Sequence, residues 1–433
     1  MIEDRAFRGG HYAAEVEAPE VYRARRARVQ ERLGKGGVAL LIGATDARGY
    51  GDVGTFRQDP SFFYLTGVEL PGAVLLLEKD HEALLLPARR PTIEVWTGPK
   101  FGPGEDTAAA LGFEKVLDRD YSEVVVDARR RPVPAFTDRV ADLLREGGTL
   151  WVPLPGASAG ELTREQSLVQ GLRDRLPSFT VVDLSPMLAE LRLRKEPGEV
   201  ALMRKAVAAT VAAMRAAAGR VRPGAWEGEL DGAAFAELRA LGAEGWAFPP
   251  IVGSGLAGCI LHYDANRGTL ADGEVVVVDI GARHGYYCGD LTRTFPVSGR
   301  FSARQRKLYE AVLAAYGAAV ATLVPGSTIA AARKAAFASL EGSGLSGDGG
   351  RSPGNFFIHG LGHFLGLEAH DVGGESPTLV PGMIVTVEPG IYLPGEGIGI
   401  RVEDDYLITE TGAENLSAAL PRDAASVEAM VRR

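Results

Sequence analysis

Three of the seven histidines in this chain fall within the twelve residues HGLGHFLGLEAH, at His359, His363 and His370. His359 and His363 stand four apart, the spacing of a zinc-protease HExxH helix, but the glutamate that motif requires is absent. The acidic residues that could work with them lie in two β-rich runs. EVVVVDIGARHGYYCGDLTRTFPV (274–297) carries Asp279 and Asp290, and MIVTVEPGIYLPGEGIGIRVEDDYLIT (383–409) carries Glu388 and Glu403.

Each run reads as a β-hairpin. A turn at His284-Gly285 sets Asp279 directly opposite Asp290, with Cβ atoms roughly 4.5–5.5 Å apart on one face. Folding the second run about Gly395-Glu396 sets Glu388 opposite Glu403 in the same way. Four carboxylates converging in a core repel one another, so their pKa values rise by several units unless a cation joins them. Two divalent ions roughly 3.5–4 Å apart are a standard way to hold such a set. One histidine completes the site, and His363 is the expected ligand, which leaves His359 and His370 to face a substrate. The missing HExxH glutamate then needs no replacement, because metal activates the attacking water and a ligand glutamate relays the proton.

The elements that must hold these hairpins are duplicated. VRPGAWEGELDGAAFAEL (221–238) resembles LVPGSTIAAARKAAFASL (323–340), and Pro223, Gly224, Phe235 and Leu238 each stand 102 residues before Pro325, Gly326, Phe337 and Leu340. Each copy follows an Ala-rich helical pattern, 200–219 and 303–322, and precedes one of the hairpins. The pattern predicts a duplicated α+β unit whose halves face each other across a pseudo-two-fold axis. Upstream, VALLIG, AVLLLE and EALLLP within 36–86 read as strands of a mixed sheet. Residues 94–175 continue that pattern, with a helix expected at 137–146. The Pro-Gly break in PMLAELRLRKEPGEV marks a junction, giving an N-terminal domain over 1–185 and a catalytic domain over 186–433.

Composition narrows the function classes. A net charge of −9 and a pI near 5.5 exclude a general nucleic-acid binder, which needs a basic face. Two cysteines in 433 residues do not make a disulfide scaffold and fit a reducing compartment. MIEDRAFRGG lacks the apolar centre of a signal peptide, and runs such as Ala73–Leu77 are too short to span a bilayer. A cytoplasmic protein with no membrane and no nucleic-acid partner is expected. His11, His81 and His284 are expected to be solvated and are assigned no role.

The order Asp279, Asp290, His363, Glu388, Glu403 resembles the five-ligand signature of the pita-bread metallopeptidases (family M24). Within that group HGLGHFLGLEAHDVG (359–373), VEPGIYL (387–393), GIGIRVEDD (397–405) and IVGSGLAGCILHY (251–263) are most similar to the aminopeptidase P branch. FRQDPSFFYLTGVELPGAVLLL (56–77) and IEVWTG (93–98) resemble that branch's additional N-terminal domain, so the likeness spans nearly the whole chain. The resemblance implies an α+β fold: a C-terminal pita-bread catalytic domain and a smaller N-terminal mixed-sheet α/β domain. It also implies release of the N-terminal residue when proline follows it, by a hydroxide held between two cations. Asp279 would bind one metal through both oxygens, Asp290 and Glu403 would bridge, and His363 with Glu388 would bind the other. His262, His359 and His370 would face substrate, Glu388 would carry the proton, and Arg401 would orient the ligand carboxylates.

The resemblance further implies a homodimer or homotetramer in which Trp96 reaches a neighbouring subunit's cleft beside the proline ring. Phe248 and Tyr392 are the other expected substrate contacts. WAFPPIVGSG places Phe248, Pro249 and Pro250 where some relatives are more polar, so the preferred first residue is left open. A carboxylate-rich, single-histidine site favours Mn²⁺, with Co²⁺, Fe²⁺ or Zn²⁺ as alternatives. Two other functions stay open: a dipeptide-restricted prolidase, distinguished by what blocks the far end of the cleft, and a metal-free binding module, which would require eroded ligands.

Overall fold

The computed structural model describes residues 15–45, 56–119, 125–126, 132–133, 136–154, 162–373 and 377–431. His11 lies outside them. The chain divides into two compact units between Leu191 and Arg192, with Glu15 belonging to the second.

In the N-terminal unit the apolar runs build a six-stranded mixed sheet. Its order is Lys115–Asp118, Glu82–Leu86, Val74–Glu78, Gly37–Ile42, Thr149–Val152 and Thr180–Asp183. The three central strands pair antiparallel and the outer pairs are parallel. The central strands are buried almost throughout, which is why they read as unbroken Val/Leu runs instead of alternating ones. Two buried arginines on the helix Pro19–Arg32 tie this unit together. Arg26 meets Glu82 at 2.7 Å and the Leu65 carbonyl at 3.0 Å, and Arg25 pairs with Glu17 and the Tyr64 carbonyl, as buried guanidinium groups require. IEVWTG belongs to the short helix Pro91–Thr97, and the expected helix near 137–146 is Phe136–Leu144.

The C-terminal unit shows the duplication. Helices Pro197–Ala218 and Glu227–Ala240 form one pair, and Ala303–Val320 and Ile329–Glu341 form the other. Pro197 sits in the first turn of its helix, where a missing N–H costs nothing, so the Pro-Gly pair starts a helix where a break was expected. Between the helices of each pair, Gly224 (φ 78°) and Gly326 (φ 90°) turn the chain through the left-handed region. Gly224 N–H donates to Leu270 O and Leu270 N–H to Ala225 O; Gly326, Leu379 and Ser327 repeat both bonds. Leu238 and Leu340 are fully buried, whereas Phe235 and Phe337 are exposed, so the repeat conserves outward as well as core positions. No helix among the described residues is long and apolar enough to cross a membrane.

Each helix pair backs one three-stranded sheet. The first sheet is Ile251–Ser254, Val275–Ile280 and Leu291–Pro296; the second is Ile384–Val387, Asp404–Ile408 and Ala413–Asn415. An antiparallel bridge between Thr292 and Glu403 joins the halves.

Candidate metal centre

The second hairpin has the expected register. Val387 pairs with Asp404 on one side and Gly390 with Arg401 on the other, which brings Glu388 level with Glu403. The first hairpin differs. Asp279 pairs with Thr292, so Asp290 lies two residues away along the facing strand, diagonal to Asp279 and not opposite it. The cause is the turn. It is formed by Gly285 and Tyr286, at φ 56° and 74°, so that His284 pairs with Tyr287 and the register moves by two residues. Alternation keeps residues two apart on one face, and the two carboxylates still meet.

His359–His363 is not helical. The segment runs beside the strand Ile384–Val387: His363 N–H donates to Thr386 Oγ1 at 3.1 Å, and Thr386 N–H to His363 O at 2.9 Å. A Cβ on Gly362 would fall 2.1 Å from Thr386 O, so only glycine lets the backbones approach this closely. His363 Nδ1 lies 3.2 Å from Phe364 O, a carbonyl that can only accept, so Nδ1 carries the proton and Nε2 keeps a free lone pair. That nitrogen points at Asp290 Oδ2 (3.6 Å) and Glu388 Oε1 (3.7 Å). Ligand atoms of Asp290, His363 and Glu403 all lie within 4.8 Å of one another.

Arg401 is buried and organises one side of the cluster. Its guanidinium donates to Asp279 Oδ2 (2.7 Å), Tyr392 OH (2.9 Å) and Thr292 Oγ1 (3.2 Å). Thr292 in turn donates to Glu403 Oε2 at 2.7 Å. Tyr392 OH lies 2.9 Å from His359 Nε2, while His359 Nδ1 is 2.7 Å from Gly360 O and 3.8 Å from Glu388 Oε2. His370 is exposed and its ring packs tilted against His363, with ring centres 4.2 Å apart; the ring of exposed His262 is 6.5 Å from that of His370. These two histidines form the rim. Phe248 lies in the bend before Ile251–Ser254, its ring against Gly281. Trp96 belongs to the N-terminal unit and is 73% exposed beside Val95 at 82%, so it is not a core tryptophan. His81 is solvated as expected, but the His284 side chain is only 12% exposed and sits 3.5 Å from Glu15, because the shifted turn folds it inward.

The electrostatics are those of a site that wants cations. Burial, then Glu403 and Asp279, raise Asp290 well above the usual carboxylate range. Burial, then Glu388 and Asp279, do the same to Glu403. Burial pushes Glu388 up to about 8 against the opposing charge of Arg401. Burial lowers His363 to about 4, helped by His370, and lowers His359 to about 4, helped by Arg401. Neutral imidazole is the ligand form. Asp279 Oδ1 and Asp405 Oδ1 are buried with no hydrogen-bond partner among the described residues. One cationic guanidinium facing four carboxylates, an orphaned carboxylate oxygen and an unprotonated ring nitrogen fit a pair of divalent ions.

Two acids and a threonine escaped the sequence reading. Thr292 and Asp405 each stand two residues beyond a ligand, on the same strand face, and alternation alone points them inward. Asp405 Oδ2 accepts the Asp290 N–H at 3.0 Å. Asp371 fixes the segment that carries His370 through Arg192 and, at 3.2 Å, Lys195.

Comparison with known proteins agrees with this geometry. Residues 201–410 match metallopeptidase family M24, and residues 22–129 match the aminopeptidase P N-terminal domain. The chain is 34% identical to the Xaa-Pro aminopeptidase of Escherichia coli over 96% of its own length and 98% of the relative's. It is 31% identical to the mitochondrial intermediate cleaving peptidase 55 of Arabidopsis thaliana, covering 95% and 83%. It superposes on a substrate complex of E. coli aminopeptidase P with a TM-score of 0.84 at 32% identity, covering 96% and 99% of the two chains. The proline aminopeptidase P II of Yersinia pestis gives 0.83 at 32% identity, covering 96% and 100%.

Proposed function

The chain belongs to metallopeptidase family M24, and from that premise we propose that it is a metal-dependent aminopeptidase releasing the N-terminal residue from peptides with proline second. The observation that carries the proposal is the convergence of Asp290, His363 and Glu403 ligand atoms within 4.8 Å, beside the orphaned Asp279 oxygen and half-buried Glu388. Asp279, Asp290, His363, Glu388 and Glu403 would hold two divalent cations. When bound, the ions would polarise the scissile carbonyl and lower the pKa of the attacking water. Mn²⁺ is the proposed ion because oxygen donors dominate the set, with Co²⁺, Fe²⁺ or Zn²⁺ able to replace it.

The protein's own groups divide the remaining work. Glu388, a ligand carboxylate that faces His359 and His363, would take a proton from water and return it to the proline nitrogen. That nitrogen belongs to a tertiary amide and carries no proton before the bond breaks. Arg401 holds Asp279 and Tyr392 in place, and Tyr392 holds His359. His262, His359 and His370 would contact the substrate backbone, and Phe248 would line the pocket for the first residue. Trp96 is proposed to cover a proline ring in a neighbouring subunit of a homodimer or homotetramer; its exposure on a short helix supports this. We assign 1–185 to the aminopeptidase P-type domain, 186–433 to the catalytic domain, and the protein to the cytoplasm, where its two free cysteines would stay reduced.

The test is one assay with Mn²⁺ that compares an Xaa-Pro dipeptide with Xaa-Pro-Yaa tripeptides. The longer peptides should have the higher kcat/KM. A better dipeptide would make the enzyme a prolidase, and no cleavage of either would end the proposal.

A further inference from the structure

We propose that Glu227 is a positioning residue for this reaction: it staples the base of the loop that carries His262. The proposal rests on the reading of His262 as a substrate-facing group. Glu227 opens the helix Glu227–Ala240, outside the metal cluster, and is completely buried. Its carboxylate accepts four hydrogen bonds, all from one loop. Oε1 takes the Ser254 N–H (2.9 Å) and Ser254 Oγ–H (3.0 Å); Oε2 takes Tyr263 O–H (3.0 Å) and the Gly268 N–H (2.6 Å). Ser254 is the last residue of its strand, and Gly268 is where the chain returns, so one side chain closes both ends. Glu227 N–H also donates to Gly268 O at 2.9 Å. The third attachment, Tyr263, is the residue after His262. Inside the loop Asn266, at φ 47°, adds a second tie by accepting the Val252 N–H and donating to Pro250 O.

The chemistry of the staple requires a carboxylate. All four partners are donors, and an ionised carboxylate is a pure acceptor with two oxygens. Glutamine has the same shape but replaces one oxygen with N–H₂. Ser254 Oγ and Tyr263 OH can turn to accept from it; the Ser254 and Gly268 backbone N–H groups cannot. Whichever way the amide points, one buried donor faces another, and such a conflict opens the structure locally. Space also selects for this arrangement, since a Cβ on Gly268 would lie 2.7 Å from Glu227 Oε1. The loop released by that conflict holds His262, whose ring sits 6.5 Å from His370 at the rim. Glu227 therefore acts on the substrate through His262, at a distance from the ligands.

The experiment is a double-mutant cycle on the metal-loaded enzyme, with Glu227→Gln, His262→Ala and the double variant assayed on an Xaa-Pro-Yaa peptide. Glu227→Gln should lower kcat/KM at least tenfold in the presence of His262 and by less than twofold in the His262→Ala background, with metal content unchanged. Amide hydrogen exchange should become faster in Ser254–Gly268 and stay as in the wild type at the metal ligands. Equal losses in both backgrounds, or unchanged exchange in the loop, would overturn the proposal. If Glu227→Gln does not fold, Tyr263→Phe removes the link beside His262, together with the long 3.4 Å bond from the Arg267 N–H, and leaves the other three Glu227 bonds in place; the same pattern is expected at severalfold, and wild-type kinetics in that variant would also overturn it. A wild-type enzyme that cleaves no Xaa-Pro peptide defeats the proposed function instead, and loop exchange still decides whether Glu227 is the staple.

Discussion

Removal of the Arg401 side chain probes the cluster from its cationic side. Arg401→Ala deletes three hydrogen bonds and leaves Asp279 without its guanidinium partner in a buried site. Breaking one side of a buried ion pair costs about 3–5 kcal/mol. At about 1.4 kcal/mol per tenfold, that is roughly two to three and a half decades. In the metal-free protein the whole cost falls on stability, a large part of the ~5–15 kcal/mol that holds a domain folded. In the loaded enzyme the ions share the charge of Asp279, and the loss moves to the reaction, where Tyr392 and His359 are no longer held. Expected results are a markedly lower Tm in chelator, a smaller fall with Mn²⁺, and kcat/KM reduced by about 10²–10³. Arg401→Lys keeps the charge but cannot reach three acceptors at once. Each lost charged hydrogen bond is worth about 1.5–3 kcal/mol, so a loss of one predicts roughly a ten- to hundredfold drop. Thermal unfolding with and without metal, beside steady-state kinetics, reads both effects. Arg401→Ala with kcat/KM within threefold of wild type and an unchanged metal-free Tm would refute the reasoning.

The raised carboxylates predict a pH dependence with a definite sign. Folded, metal-free Glu388 keeps its proton up to about pH 8, whereas an unfolded carboxylate releases it near pH 4.5, so metal-free stability is full below that pH and is lost as pH rises toward 8. The Tm gain on adding Mn²⁺ should therefore grow from pH 5 to pH 8; a gain independent of pH would contradict it. Gly362→Ala pushes a methyl into Thr386 O and should displace His363, lowering bound metal below two ions per chain by elemental analysis. Full occupancy with full activity in that variant would show the close approach to be unnecessary. Trp96→Ala should reduce kcat/KM for proline substrates by about 1–3 kcal/mol without changing metal content. Mixing it with Asp290→Asn chains should recover part of the activity in hybrid oligomers, and no recovery would place Trp96 outside the neighbouring cleft.

What was legible in the sequence and what was not divide along a physical line. The duplicated unit was legible because Pro223-Gly224 and Pro325-Gly326 recur at one spacing and a glycine at positive φ cannot easily drift. The second hairpin was legible because its turn lies among glycines. The first was misread by one residue in its turn because Tyr286 occupies a left-handed position that a tyrosine rarely takes, and no pattern advertises it. Arg401 and Glu403 could be placed together from strand alternation. The bond from Thr292 to Glu403 crosses from one half of the duplicate to the other, which no local periodicity encodes. Glu227 was invisible for the same reason: its partners lie 27 to 41 residues downstream, and only the folded loop brings them to one carboxylate. In the N-terminal unit, Arg25 and Arg26 lie on a helix the sequence reading did not describe, and both are buried by partners far along the chain.

The most direct test of the metal centre is an anomalous difference map from crystals grown with Mn²⁺. Two peaks are expected roughly 3.5–4 Å apart, enclosed by Asp279, Asp290, His363, Glu388 and Glu403. A map without density among those five side chains, or with the ions held by other residues, would contradict the assignment.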